Sequence, residues 1–206
     1  MVTKKPKIKE TVGAQYYAFN TPTESGEFSS TYEETIKTET VKSIGTTENG
    51  ESTPVKASGK DYITVNSTEN VELEVEVVAF DPTDLAKMRG ETVDSSGLIS
   101  FGHSANRPYF AYGKVVKKNG GGIRFDWYPK CQLVENTDDI NTREDTFSEQ
   151  NDTVTIRAYA FNDAGDIKNY VDNEMSNYPE DLTEEKFFAK PILTAADLTA
   201  IVTPGT

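Results

Sequence analysis

A row of glutamates is the first feature of the sequence that could do chemistry. Glu69, Glu72, Glu74 and Glu76 flank or alternate with Val71, Leu73, Val75 and Val77. This period of two predicts a strand over residues 71–80 with one charged and one apolar face. Paired acid–base carboxylates need unlike surroundings to separate their pKa values, and carboxylates on one strand face share theirs. The row therefore indicates a solvated sheet face or the lining of a negatively charged channel, rather than a catalytic pair.

A second acidic group lies in the segment 136–152, which we predict to be a loop. It contains Asp138, Asp139, Glu144, Asp145 and Asp152, without a glycine between 136 and 152. Calcium loops need a short, glycine-turned arrangement of six to eight oxygens, so the sequence predicts no metal site here.

Few nucleophiles or metal ligands are available elsewhere. The single cysteine, Cys131, and the single histidine, His103, exclude an intrachain disulfide and any site with two histidines. The glycines 120–122 separate two strand-like segments and are typical of a hairpin turn rather than a phosphate loop. We predict no cofactor and no catalytic residue.

The aromatic residues Trp127, Tyr128, Tyr109 and Tyr112 allow two interpretations. They could form a platform on which a sugar stacks, or they could pair across strands inside a sheet.

Composition narrows the class of protein. The 206 residues carry a net charge of −13, which argues against a general nucleic-acid binder or a protein that docks on anionic lipid. There is no apolar run of membrane-spanning length and no secretory signal pattern, so we expect a cytosolic site of synthesis. Abundant β-branched and aromatic residues predict a mainly β protein, a β-sandwich or half-barrel.

The local pattern predicts the elements of this fold. We expect strands at 15–19, within 31–47, at 62–66, 71–80, 97–101 and 152–161, and turns at Asn49-Gly50 and Ser58-Gly59. Residues 107–118 and 123–135 form the clearest hairpin. Asp81, Pro82 and Gly90 predict a short helix over 82–89 with an N-cap and a left-handed C-cap. A second short helix is expected at about 181–190, and residues 162–180 have the pattern of a loop.

The order of these segments resembles the major tail (tail tube) proteins of long, non-contractile-tailed phages (siphoviruses) and prophages of Gram-positive bacteria. The resemblance covers about residues 12–161, and the strand–helix–strand passage at 71–99 is its most specific part. The other matching stretches are 49–62, 108–116, 123–131 with its Tyr-Pro-Lys-Cys end, and 143–156. The chain departs from the pattern at Val55, where an aromatic residue is common, and in the longer segment 162–206.

The resemblance implies a structural subunit rather than an enzyme. Such proteins form hexameric rings that stack into a tube, whose lumen holds the tape measure protein and conducts DNA. The partners would be further copies of the chain, the tape measure protein, and the tail terminator and distal tail proteins, without a membrane. The protein would lie in the virion tail after assembly in the host cytoplasm.

On this interpretation the chain has three parts: a flexible N-terminal arm at 1–11, a tail tube β domain at 12–161 and a C-terminal extension at 162–206. Lys4, Lys5, Lys7 and Lys9 of the arm could contact an acidic neighbouring ring, and Glu72, Glu74 and Glu76 could line the lumen.

Two other functions are compatible with the sequence. One is a β-domain that binds a glycan or a surface through Trp127, Tyr128 and Tyr109. The other is a carboxylate enzyme that uses Glu74 with Asp138.

Overall fold

The computed structural model describes residues 5–100, 102, 107–138, 140–142 and 149–202. Ten strands are present in these ranges: β1 Lys9–Phe19, β2 Ile36–Thr38, β3 Val41–Ala57, β4 Lys60–Val77, β5 Thr92–Val93, β6 Ile99–Ser100, β7 Phe110–Lys118, β8 Gly122–Asp138, β9 Asp152–Ala158 and β10 Asn169–Asp172. Three α-helices accompany them: α1 Pro82–Arg89, α2 Glu184–Phe188 and α3 Ala195–Val202. None of the described helices is long and apolar enough to cross a membrane.

Eight of the strands form one antiparallel sheet in the order β2-β1-β7-β8-β9-β4-β3, with β10 also paired to β8. The first half of the long strand β8 pairs with β7 and β10, and its second half pairs with β9. The sheet folds back on itself so that β3 approaches β1. The prediction of a mainly β fold is confirmed.

The main core lies between the two halves of the folded sheet. The apolar face of β4 is fully buried there, as the alternating pattern predicts, and so is the facing side of β9. Tyr17, Phe110 and Tyr112 close the core from the β1–β7 side. Burial of these large side chains supplies most of the driving force for folding.

A second core lies on the opposite face of β1, β7 and β8, where the C-terminal segment covers the sheet. The Tyr16 and Phe188 rings stack with centroids 3.9 Å apart, and the Trp127 indole donates a hydrogen bond of 3.1 Å to the Phe187 carbonyl. Gly113 makes this possible, because a Cβ at that position would lie 2.7 Å from the Phe188 ring. Apolar side chains between Val171 and Val202 are therefore packed on the sheet.

Neighbouring tyrosines of β1 hold one helix on each face. The Tyr17 hydroxyl donates a 2.6 Å hydrogen bond to Asp84 of α1, and the Tyr16 hydroxyl donates one of 2.6 Å to Glu184 of α2. Successive side chains of a strand point to opposite faces, so these two adjacent tyrosines position α1 on one face of the sheet and α2 on the other.

Helix α1 has the predicted bounds and caps. The Asp81 carboxylate accepts hydrogen bonds from the backbone N–H groups of Thr83 and Asp84, and Gly90 adopts φ 71° at the C-cap. The predicted C-terminal helix is present as the shorter α2, which Thr183 caps.

The predicted turn at Asn49-Gly50 is wrong. Strand β3 continues through these residues with a register shift between Asn49 and Gly50, and a Cβ on Gly50 would lie 2.4 Å from the Ser67 carbonyl oxygen. The glycine therefore permits a bulge and not a turn. The chain reverses at Ser58 and Gly59, whose φ angles of 52° and 77° suit a tight hairpin turn. The short strand β10 also lies where a loop was predicted.

Candidate assembly interface

The β3–β4 hairpin extends beyond the body of the protein. We call its outer part, residues 50–67, the hairpin arm. Every described side chain in it is exposed, and at about 3.3 Å per residue its paired strands extend about 25 Å. Val55, Ile63 and Val65 share one face of the arm, with exposed fractions of 45%, 55% and 53%. An isolated two-stranded ribbon is only marginally stable in water, so a surface that covered this apolar face would stabilise the arm.

Strand edges are the second exposed feature. Strand β3 ends the strand order and, within the described residues, has no partner on its outer side. At the other end, β2 is only three residues long. An unpaired edge presents backbone N–H and C=O groups that can pair with another strand. Pro54 has no backbone N–H to donate, which weakens pairing of another strand with the β3 edge at that position but leaves the rest of the edge open.

The glutamates of β4 lie on its outward face, as predicted, but they are not equivalent. Glu72 forms an ion pair with Arg157, whose hydrogen bond lowers the pKa of the Glu72 carboxyl. Glu76 accepts hydrogen bonds from Ser43 at 3.1 Å and Asn151 at 2.8 Å. Glu74 is exposed and lies opposite Gly45 and Thr155 in the register. The result is a polar outer face of the sheet.

The carboxylate-enzyme alternative lacks the geometry it requires. Glu74 lies opposite Thr155 of β9, whereas Asp138 of β8 lies opposite Asp152. The two carboxylates are thus separated by strand β9 and by three register positions, about 10 Å along the strand. No group of three potential metal ligands occurs within the described ranges.

The sugar-stacking platform is also wrong. Trp127, Tyr128 and Tyr112 are at most 1% exposed and belong to the two cores, so cross-strand packing is their role. Tyr109 is half-buried and packs edge-on against Phe28 at 5.8 Å.

Cys131 is a buried thiol whose pKa is raised by burial, which makes it a poor nucleophile. His103, Asp139, Glu144 and Asp145 lie outside the described residues.

The start of the chain is attached to the body at Lys7. Its backbone N–H donates to Glu174 at 2.9 Å, its ammonium donates to the Gly120 carbonyl at 2.9 Å, and Lys9 already belongs to β1. Lys5 is exposed and Lys4 lies outside the described residues. Residues 9–11 of the predicted arm therefore belong to β1, and Lys7 is held by hydrogen bonds to the body.

A further feature, which no local sequence pattern indicates, is a cleft of about 640 Å³ between β1 and β3. We call it the basic cleft, because five cationic side chains line it: Lys9, Lys42, Lys114, Arg124 and Lys168. Glu10 and Glu48 also line it. The cations come from separate elements over 160 residues of sequence, so no local motif could have revealed them.

Lys114 lies deepest in the basic cleft. It is 5% exposed, its ammonium donates to the Thr46 hydroxyl at 2.5 Å, and it lies 4.0 Å from the buried Asp126 carboxylate. Burial lowers the pKa of Lys114 to about 8, although Asp126 opposes the shift, and Arg124, Lys168 and Lys9 lower it further. The cations of the cleft therefore repel one another.

Comparison with known proteins gives little further information. No family model and no curated protein matches the sequence. The fold is similar to a chain in the cryo-EM structure of the anti-feeding prophage (AFP) baseplate, 6-fold symmetrised, at 10% sequence identity and a TM-score of 0.45. The match covers 82% of this chain and 97% of that chain. A similarity of this strength supports no argument about function.

Proposed function

We propose that the protein is a non-enzymatic structural subunit of a phage tail tube, which assembles as stacked hexameric rings. The hairpin arm is the observation that carries this proposal. It places apolar side chains about 10 to 17 Å beyond Gly50, where no described element covers them.

The open strand edges support the same function. A closed ring can pair each unpaired edge with a neighbouring copy, and closure removes the edges that would otherwise cause aggregation. The β3 edge is long and has no hydrogen-bonded partner strand among the described residues, although β3 approaches β1. Association between copies of the chain would thus pair the strand edges and cover the hairpin arm at the same time.

We assign the outward face of β4, with Glu72, Glu74 and Glu76, to the lumen of the tube. The C-terminal segment covers the other outward surface, on β1, β7 and β8, so the β4 face is the extended sheet surface that remains bare. A wall with carboxylates repels DNA and offers no phosphate contact that would hold it. The lumen would hold the tape measure protein before DNA passes, and the tail terminator and distal tail proteins would close the tube ends in the virion.

Electron microscopy of the purified protein at increasing concentration tests this proposal. We expect stacked rings from the wild type and none from the variant Val55→Thr/Ile63→Thr/Val65→Thr, which removes the apolar face but keeps good strand formers. Tyr62→Thr, on the opposite face of the arm and 78% exposed, is the matched control. A wild type that stays monomeric, or arm variants that stack normally, would contradict the proposal.

A further inference from the structure

A cluster of cations lies beside the start of β1, and a group of glutamates follows its end, where Arg107 and Lys130 share a cavity with Glu27. The basic cleft lies beside the start of the strand, at Lys9. The chain leaves the other end, at Phe19, into residues 21–35, which we call the acidic loop. This loop has four glutamates and no lysine or arginine: Glu24, Glu27, Glu33 and Glu34. The cleft extends along β1 from Lys9 to Lys114, which lies opposite Gln15; at about 3.4 Å per residue it ends about 14 Å before Phe19.

Four of the five cations of the basic cleft have a carboxylate partner within the protein. Lys42 forms an ion pair with Glu149 at 2.6 Å, and Lys168 lies 3.9 Å from Glu48. Among the described residues, Lys9 has no ion pair. The Lys114 ammonium lies 4.0 Å from Asp126, and Arg124 forms an ion pair with the same carboxylate at 2.9 Å. The cleft can therefore accept further carboxylates at Lys9, for which the described residues provide no ion pair, and at Lys168, whose ammonium is as far as 3.9 Å from Glu48.

The acidic loop is held in shape and keeps its carboxylates exposed. The Asn20 amide donates hydrogen bonds to the carbonyls of Ser29 at 2.8 Å and Thr31 at 3.0 Å. The Thr23 N–H bonds the Glu27 carbonyl at 2.9 Å, which closes the turn that carries Glu24. Lys87 binds Glu33, whereas Glu24, Glu27 and Glu34 are exposed and have no ion pair among the described residues.

We propose that the basic cleft of one copy receives the acidic loop of a second copy, stacked head to tail along the direction of β1. This inference rests on the proposed function and specifies the contact between rings. Because the two surfaces lie at opposite ends of one strand, the contact is heterologous and repeats without closing, as a growing tube requires. Complementary charge also fixes the polarity of stacking and speeds encounter.

A charge-swap experiment tests the contact. The cleft variant is Lys9→Glu/Lys168→Glu and the loop variant is Glu24→Lys/Glu27→Lys. The control pair makes the same changes in charge on the C-terminal segment: Lys186→Glu/Lys190→Glu for the cleft variant and Glu180→Lys/Glu185→Lys for the loop variant. Sedimentation and electron microscopy at about 0.1 M salt, where the Debye length is about 10 Å, give the concentration at which rings stack.

We expect the cleft variant and the loop variant each to need at least about tenfold more protein to stack, and the two controls to behave as wild type. An equimolar mixture of the two variants should stack again, because each reversed surface then meets its complement on the other variant. Circular dichroism checks that each variant is folded. If the cleft variant does not fold, Lys9→Gln/Lys168→Gln takes its place.

The outcomes separate this inference from the proposed function. Wild-type stacking that neither variant weakens, or variants that fail alone and also in the mixture, would overturn the head-to-tail contact and leave the tube intact as a proposal. A wild type that never stacks would overturn both.

Discussion

At the scale of single residues, Lys114 combines burial with charge. Its pKa of about 8 in the folded protein lies below the ordinary value of 10.5, so the unfolded chain binds more protons between these two pH values. The contribution of Lys114 to the free energy of unfolding must therefore rise with pH between these two values. Below pH 8 the buried ammonium destabilises the folded protein by its full amount.

We expect the free energy of unfolding of the wild type, relative to Lys114→Met, to increase by about 2 kcal/mol between pH 7 and pH 9.5. Urea denaturation of both proteins at the two pH values measures this difference, and the comparison cancels the titration of other groups. A difference that stays constant or falls with pH would show that Lys114 keeps its ordinary proton affinity.

At the scale of elements, the C-terminal segment acts as a layer of the fold. Phe187 and Phe188 cover Phe125 and Trp127 of β8. We expect a chain ending at residue 161 to lose cooperative unfolding or to aggregate, because truncation bares this apolar face. Thermal unfolding followed by circular dichroism decides the matter, with a chain ending at residue 194 as the control that keeps both phenylalanines. A soluble, cooperatively folded chain of 161 residues would show that the fold does not require the C-terminal segment.

The N-terminal arm can be separated from the fold in the same way. Deletion of residues 1–6 leaves the hydrogen bonds of Lys7 and Ile8 in place, so we expect the free energy of unfolding to change by less than about 0.5 kcal/mol. We expect tube formation, followed by light scattering, to slow because Lys4 and Lys5 are lost. An unchanged assembly rate would remove the arm from the assembly mechanism.

At the scale of the whole molecule, the sign of charge on the β4 face should decide how a tube treats DNA. Glu74 is exposed, so Glu74→Lys should leave ring stacking intact and give the tube wall phosphate contacts. We expect such tubes to retain short duplex DNA in co-sedimentation, more weakly as salt increases, while wild-type tubes do not. Glu180→Lys makes the same charge change on the C-terminal segment. Equal retention by the two variants would mean that Glu74 does not face the lumen.

The sequence by itself determined the elements whose causes are local. The alternation of Val71–Val77 with glutamates, the caps of α1 at Asp81 and Gly90, and the glycine turn between β7 and β8 all depend on neighbours within a few residues. The local signal failed at Asn49-Gly50, where pairing of β3 with β4 outweighed turn propensity and the glycine served a bulge.

Only the tertiary structure decided which surfaces exist. Trp127 could have stacked on a sugar or lain in a core, and the packing of α2 against β8 made it part of a core. The basic cleft depends on β3 returning to β1 after the sheet folds, which brings together Lys42 and Lys114. Strand order and the packing of the C-terminal segment result from burial of distant side chains against one another, and no pattern within one segment contains that information.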